Sequence, residues 1–201
     1  MIALFINYFN CTQPERQREY DIALIHNLEN PHIDEVYLLG KDLPPADRKI
    51  TRIPLEGRPT YRQFFEEINF NVGDDDISIV SNSDIFFDDT LTLVRQMNPH
   101  DCYALSRWDE SKIVQVFGDS QDCWIFRGLI KPVNYCDFPL GMLGCDNRIA
   151  HELMAAGYHV TNPCHSIRTH HVHQSGIRQD PERRPDNTVP GPYHIVHPSH
   201  L

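Results

Sequence analysis

Two apolar runs with an amphipathic stretch between them, all within the first forty residues, restrict this chain to a narrow set of architectures. Ile2–Asn7 is a β-branched and aromatic run that reads as a buried strand, with residues 8–14 as the loop at its carboxyl end. Residues 15–28 then carry Tyr20, Leu24 and Leu28 at i, i+4 and i+8 behind Pro14, which predicts a helix ended by Asn27, Asn30 and Pro31. Residues 35–39, Glu-Val-Tyr-Leu-Leu, form a second strand. Strand, helix and strand at this spacing imply parallel pairing through a right-handed crossover, and so an α/β sheet.

The rest of the chain extends that pattern. A Pro-rich connection leads to a short strand at 50–54, and Thr60 caps a helix over 61–69 whose apolar stripe is Tyr61, Phe64, Phe65 and Ile68. The run 77–80, Ile-Ser-Ile-Val, follows a Gly-Asp-Asp-Asp turn signal and reads as a strand buried on both faces. A helix over 89–97, strands at 102–107 and 122–127 around a polar excursion at 108–119, a helix opened by Asp146 or Asn147 and closed at Gly157, and a strand at 158–160 complete a mixed, mostly parallel sheet. From Pro163 onward the chain is rich in His, Pro and Arg and lacks periodicity, which predicts a surface arm or a partly disordered segment.

At 201 residues the chain suffices for one domain that buries about 70% of its unfolded surface. A formal charge of −10 argues against a non-specific nucleic-acid binder, so any phosphate is expected at a local site. The first residues lack a basic n-region, and their apolar run is too short for a signal sequence or a membrane span; a cytoplasmic location without a membrane span is expected. Six cysteines lie far apart with no CxxC pair, as expected of reduced, buried side chains, although Cys164 and His165 beside His171 and His173 leave a zinc site as a distant alternative.

Three polar clusters bear on function. Asn82, Ser83 and Asp84 fall at the end of the 77–80 strand, where open α/β sheets bind ligands, so Asp84 is a candidate for a hard divalent cation; a plain Asx turn is the alternative. Asp146 opens a helix, as a cap or as a carboxylate facing a pocket. His171 and His173 stand at i and i+2 on an extended segment, so their side chains project to one face. Arg107, at another strand end, can pair bidentately with phosphate or carboxylate, and Trp124 reads as core because its strand is apolar. Neither GxGxxG nor GxxxxGK[ST] occurs.

Taken together, residues 16–19 (Arg-Gln-Arg-Glu), 81–88 (Ser-Asn-Ser-Asp-Ile-Phe-Phe-Asp), 104–108 (Ala-Leu-Ser-Arg-Trp), 118–126 and 141–148 resemble the GT-A glycosyltransferases, in particular small bacterial and viral glycosyltransferase-like proteins. The resemblance implies a Rossmann-like three-layer α/β/α sandwich over 1–175, with 176–201 as a C-terminal arm. It also implies Mn²⁺ or Mg²⁺ on a DxD-type motif, here Asn82-Ser83-Asp84 with Asn in place of the first Asp, completed by His171 or His173. The implied donor is a nucleotide-diphosphate sugar, met by Asn7, Tyr8, Arg62, Asn82 and Ser83. A glycan or other hydroxyl acceptor would lie near Arg107, Trp108 and Asp122, with Asp146 as general base, and in so short a chain the 163–201 arm, a neighbouring domain of a longer protein or an oligomer is expected to complete the site. A nucleotide-sugar hydrolase on the same metal site, and a degenerate sugar- or nucleotide-binding module, remain open beside the transferase.

Overall fold

The computed structural model describes residues 1–45, 48–109, 112–113, 117–177 and 187–201. Parts of the 108–119 excursion and of the 176–201 arm therefore lie outside the described residues. The chain runs β1 (Ile2–Asn7), α1 (Pro14–Glu29), β2 (Glu35–Gly40), β3 (Ile50–Pro54), α2 (Tyr61–Asn71), β4 (Ile77–Ser81), β5 (Ile85–Phe87), a 3₁₀ helix (Asp89–Gln96), β6 (Asp101–Leu105), β7 (Trp108–Asp109), β8 (Lys112–Ile113), β9 (Cys123–Arg127), α3 (Cys145–Ala155), β10 (His159–Thr161) and β11 (Thr169–His171).

Seven strands form one sheet in the order β10-β6-β9-β4-β1-β2-β3. β1 pairs in parallel with both β2 and β4, while β9 runs antiparallel between β4 and β6. Because alternate side chains of a strand point to opposite faces, each central strand supplies two cores. Ala3 and Phe5 pack with Tyr61, Phe64 and Ile68 of α2 and with Ile149 and Leu153 of α3. Ile2, Leu4 and Ile6 pack on the other side with Leu24 of α1 and with Leu91 and Val94 of the 3₁₀ helix. The result is a three-layer α/β/α sandwich with a mostly parallel mixed sheet. Trp124 is fully buried in it and meets Tyr61 edge to face at 6.2 Å.

Local chemistry accounts for the element ends. Gln63 N–H donates to Thr60 Oγ1 while Thr60 N–H donates to Gln63 Oε1, so both orphan donors at the start of α2 are satisfied. Over 89–96 the helix is 3₁₀ rather than α: Asp88 caps it through Thr90 N–H, and Thr92 Oγ1 donates back to the Asp89 carbonyl three residues earlier. α3 opens two or three residues before the expected position, at Gly144, which takes φ +76° and gives no side-chain cap. Asp146 is thus not a capping residue.

A second, four-stranded sheet, β5-β11-β7-β8, stands beside the first. β11 pairs antiparallel with β5, His171 opposite Ile85, and Val172 N–H donates to the Asp84 carbonyl at 2.9 Å. That pairing carries the His-rich segment to the end of β4. The chain after Pro163 is not a free arm where it is described. Cys164, Ile167, Val189 and Val196 are buried, and Val196 N–H bonds the Gly118 carbonyl, because apolar residues spaced along the segment fill gaps at the sheet edge.

Candidate functional site

The parallel strands deliver their carboxyl ends to a single large cavity of about 660 Å³. Asn7 and Tyr8 reach it from the end of β1, Lys41 and Asp42 from β2, Asn82, Ser83 and Asp84 from β4, and Arg107 from β6. Asp122 joins them because β9 runs the opposite way and starts where its neighbours end. Arg16 and Tyr20 of α1, Arg58, and His171 and His173 close the wall.

Asp84 lies at the centre of the charge network. Its Oδ2 faces His171 Nε2 at 3.1 Å and also accepts a hydrogen bond from Arg16 Nη2. The other imidazole nitrogen, Nδ1, donates to Asp109 Oδ1 at 2.8 Å, so Asp109, His171 and Asp84 form a continuous chain. Burial would raise the Asp84 carboxyl, but His171 and Arg16 outweigh it and hold it at about 2. Burial opposes charge on His171 as well, and the Asp84 carboxylate overcomes that opposition and raises the imidazole above its ordinary value.

A second carboxylate group sits behind the first. Asp122 is buried, accepts from Arg107 Nη1 at 3.1 and 3.2 Å, and accepts from Asn82 Nδ2 at 2.7 Å. Burial still raises its carboxyl, helped by the charge of Asp84. Asp146 accepts from Ser120 Oγ at 3.0 Å, and burial together with the negative charge of Asp122 raises it to about 7. Asp146 does not line the cavity; Asp122, Leu140 and Gly141 stand there instead.

Of the residues singled out from sequence, Asn7, Tyr8, Asn82, Ser83, Asp84, Arg107, Asp122, His171 and His173 share this cavity. The two histidines stack at 5.1 Å, as an i, i+2 pair on an extended segment should, but they face different partners. His171 meets Asp84, whereas His173 Nδ1 accepts from Arg16 Nη1 at 3.0 Å. Arg62 stands apart from the cavity, paired with Asp137 at 2.8 Å, and Arg58 occupies that end of it. Trp108 is also outside: its Nε1 donates to the Cys164 carbonyl, and Arg168 covers its ring at 4.9 Å. Sequence reasoning assigned no role to Asp109, whose place beside His171 depends on the β7–β11 pairing. Arg16 figured only in the family resemblance, although an arginine in the first turn of a helix, where the dipole disfavours it, is a readable signal.

Among the described residues no three His, Cys, Asp or Glu side chains are gathered as a metal site. The cysteines are free, and Cys164 is buried, away from a zinc arrangement with His171 and His173. Two donors do converge, namely Asp84 and His171 Nε2. Their 3.1 Å separation suits adjacent ligands of an octahedral cation with bonds of about 2.1 Å, which places such ligands about 3 Å apart. Asp109 on Nδ1 fixes the imidazole so that Nε2 points at the site, the usual outer support of a metal-binding histidine. The donor set fits a hard divalent cation that takes its other ligands from phosphate and water.

No protein-family profile and no curated protein matches this sequence. Among solved structures, the mannosyltransferase PcManGT from Pyrobaculum calidifontis, in complex with GDP-Man and Mn²⁺, superposes with a TM-score of 0.55 at 14% identity, covering 87% of this chain and 58% of that one. This chain has a GT-A-like fold. A 2-C-methyl-D-erythritol 4-phosphate cytidylyltransferase from Francisella tularensis also matches, at TM-score 0.41 and 12% identity over 63% of this chain and 72% of that one. The GT-A-like chain spans a little over half of the mannosyltransferase's length, and at these identities the likeness concerns the fold alone. No helix among its described residues is long and apolar enough to cross a membrane.

Proposed function

We propose that this chain is a divalent-metal-dependent glycosyltransferase that passes a sugar from a nucleotide diphosphate to an acceptor hydroxyl. The observation that carries the reading is the Asp109–His171–Asp84 chain, with steps of 2.8 and 3.1 Å, set at the strand ends on a cavity of about 660 Å³. Asp84 and His171 would hold Mn²⁺ or Mg²⁺; the solved mannosyltransferase that shares the fold was crystallised with Mn²⁺ and GDP-Man. Such a cation supplies Lewis-acid stabilisation of the charge left on a departing nucleoside diphosphate.

The remaining roles fall to side chains. Asn7 and Tyr8 flank the base and ribose end, Ser83 holds that loop by donating to the Asn7 carbonyl at 2.6 Å, and Arg58, in place of Arg62, is a cationic partner for the diphosphate. Arg107 and Asp122 present a fixed ion pair to the sugar and acceptor. As the bond from the sugar to the diphosphate oxygen breaks and the bond to the acceptor oxygen forms, the acceptor proton goes to Asp122, the carboxylate on the cavity wall whose proton affinity burial raises. Asp146, off the cavity and held by Ser120, is out of reach of the acceptor and does not take the proton.

The test is product analysis with nucleotide sugars, with and without acceptor alcohols and glycans. Sugar joined to an acceptor, together with free nucleoside diphosphate, supports the transferase. Free sugar as the sole product whatever the acceptor would make the protein a hydrolase on the same site. A metal-free binding module is the second reading, favoured by the Arg16 guanidinium already resting on Asp84; nucleotide binding indifferent to chelation, with no turnover, would establish it.

A further inference from the structure

Arg16 has an unusual position for a cation. It lies in the first turn of α1, where the positive end of the helix dipole opposes it, and its side chain is only 12% exposed. A built cradle holds it there: Nε donates to Tyr20 Oη at 3.1 Å, Nη1 to Glu19 Oε2 at 2.5 Å and to His173 Nδ1 at 3.0 Å, and Nη2 to Asp84. Glu19 is itself fixed by Ser175 N–H at 2.7 Å, so the chain after β11 closes over the cradle. Every guanidinium nitrogen has a partner, yet the side chain lines the cavity. The carboxylate it neutralises is the same one that faces His171, the other donor of the proposed cation site.

We propose that Arg16 is the resident counter-ion of the donor site. It occupies Asp84 in the absence of ligand, opposes binding of a divalent cation by itself, and turns its guanidinium to the diphosphate when nucleotide and cation arrive together. This rests on reading the cavity as a metal and diphosphate site. The physical basis is charge: a dication beside a partly buried guanidinium is strongly repelled, and two further phosphate charges remove that repulsion. Exchange is balanced, because Asp84 passes from Arg16 to the cation as Arg16 passes from Asp84 to phosphate oxygens, which a planar fork binds in pairs. Glu19 remains on Nη1 and keeps the side chain at the cavity.

The test is calorimetric titration of Mn²⁺, checked by the electron paramagnetic resonance signal of free Mn²⁺, into wild type, Arg16→Gln and Arg16→Lys, each alone and with GDP or UDP. Arg16→Gln is expected to bind Mn²⁺ alone about tenfold more tightly than wild type and to bind the diphosphate at least about tenfold more weakly. Arg16→Lys retains a point charge without the fork, so it should still exclude Mn²⁺ but lose diphosphate affinity, which gives a readout should Arg16→Gln not fold. Unchanged Mn²⁺ affinity in a folded Arg16→Gln, or unchanged diphosphate affinity in Arg16→Lys, would overturn the proposal. If wild type binds Mn²⁺ with neither diphosphate, the metal-site reading itself fails and the proposal falls with it, a result distinct from the first two.

Discussion

Asn82 Nδ2 donates a hydrogen bond of 2.7 Å to Asp122 Oδ1, and the two residues are joined again through Asn82 N–H and the Asp122 carbonyl at 3.0 Å. This pairing explains why an amide stands where the family resemblance suggests a carboxylate. Asp122 is buried and already near Asp84, and a third acid at position 82 would face it without a donor. Asn82→Asp is therefore expected to lower stability by about 2 kcal/mol at neutral pH, through like-charge contact and the lost bond. Urea unfolding at pH 7 measures it, and a variant as stable as wild type would remove the explanation.

Asp109 acts on the site through His171. Its side chain is 45% exposed, so its loss should leave the fold intact, while the imidazole loses the acceptor that fixes its Nδ1 proton. Asp109→Ala is expected to weaken Mn²⁺ binding in the presence of nucleotide about 10- to 100-fold, with little change in melting temperature. Titration calorimetry checks this, and wild-type affinity would detach His171 from the metal.

Asp146 links pH to stability. Its folded carboxyl titrates at about 7, above its ordinary value of 3.8, so the native state favours the protonated form and is progressively penalised as pH rises between those values. Asp146→Asn removes that penalty: its melting temperature should exceed that of wild type by more at pH 8.5 than at pH 5. An equal thermal gain at both pH values would show that the carboxyl is not held neutral by its surroundings.

The layers were legible because their signals are local. The β-α-β start, the Thr60 cap and the stripe of Tyr61, Phe64, Phe65 and Ile68 rest on periodicity and capping, which need no knowledge of the partner surface. Asp84 was legible because the end of a buried strand fixes its place in any such sheet. Arg62 and Trp108 were misplaced relative to the cavity for a common reason: each is claimed by a group distant in sequence, Asp137 and the Cys164 carbonyl. Asp109 has significance only once β7 and β11 meet, and the His-rich segment hides its packing because Val189 and the Ile195-Val196 pair are short apolar breaks in a run without periodicity.

The central claim is that the cavity binds a nucleotide diphosphate together with a divalent cation on Asp84. Thermal melting of wild type and Asp84→Asn with UDP, GDP and their sugars, each with Mn²⁺, Mg²⁺ or EDTA, tests it directly. A ligand at about 100 times its dissociation constant stabilises by ~2.7 kcal/mol, about 5–10 °C for a protein of this size. The expected result is a shift with one nucleotide family that requires metal and vanishes in Asp84→Asn. A cooperative melt that no nucleotide moves under any metal condition, or a shift that Asp84→Asn retains in full, would contradict the account.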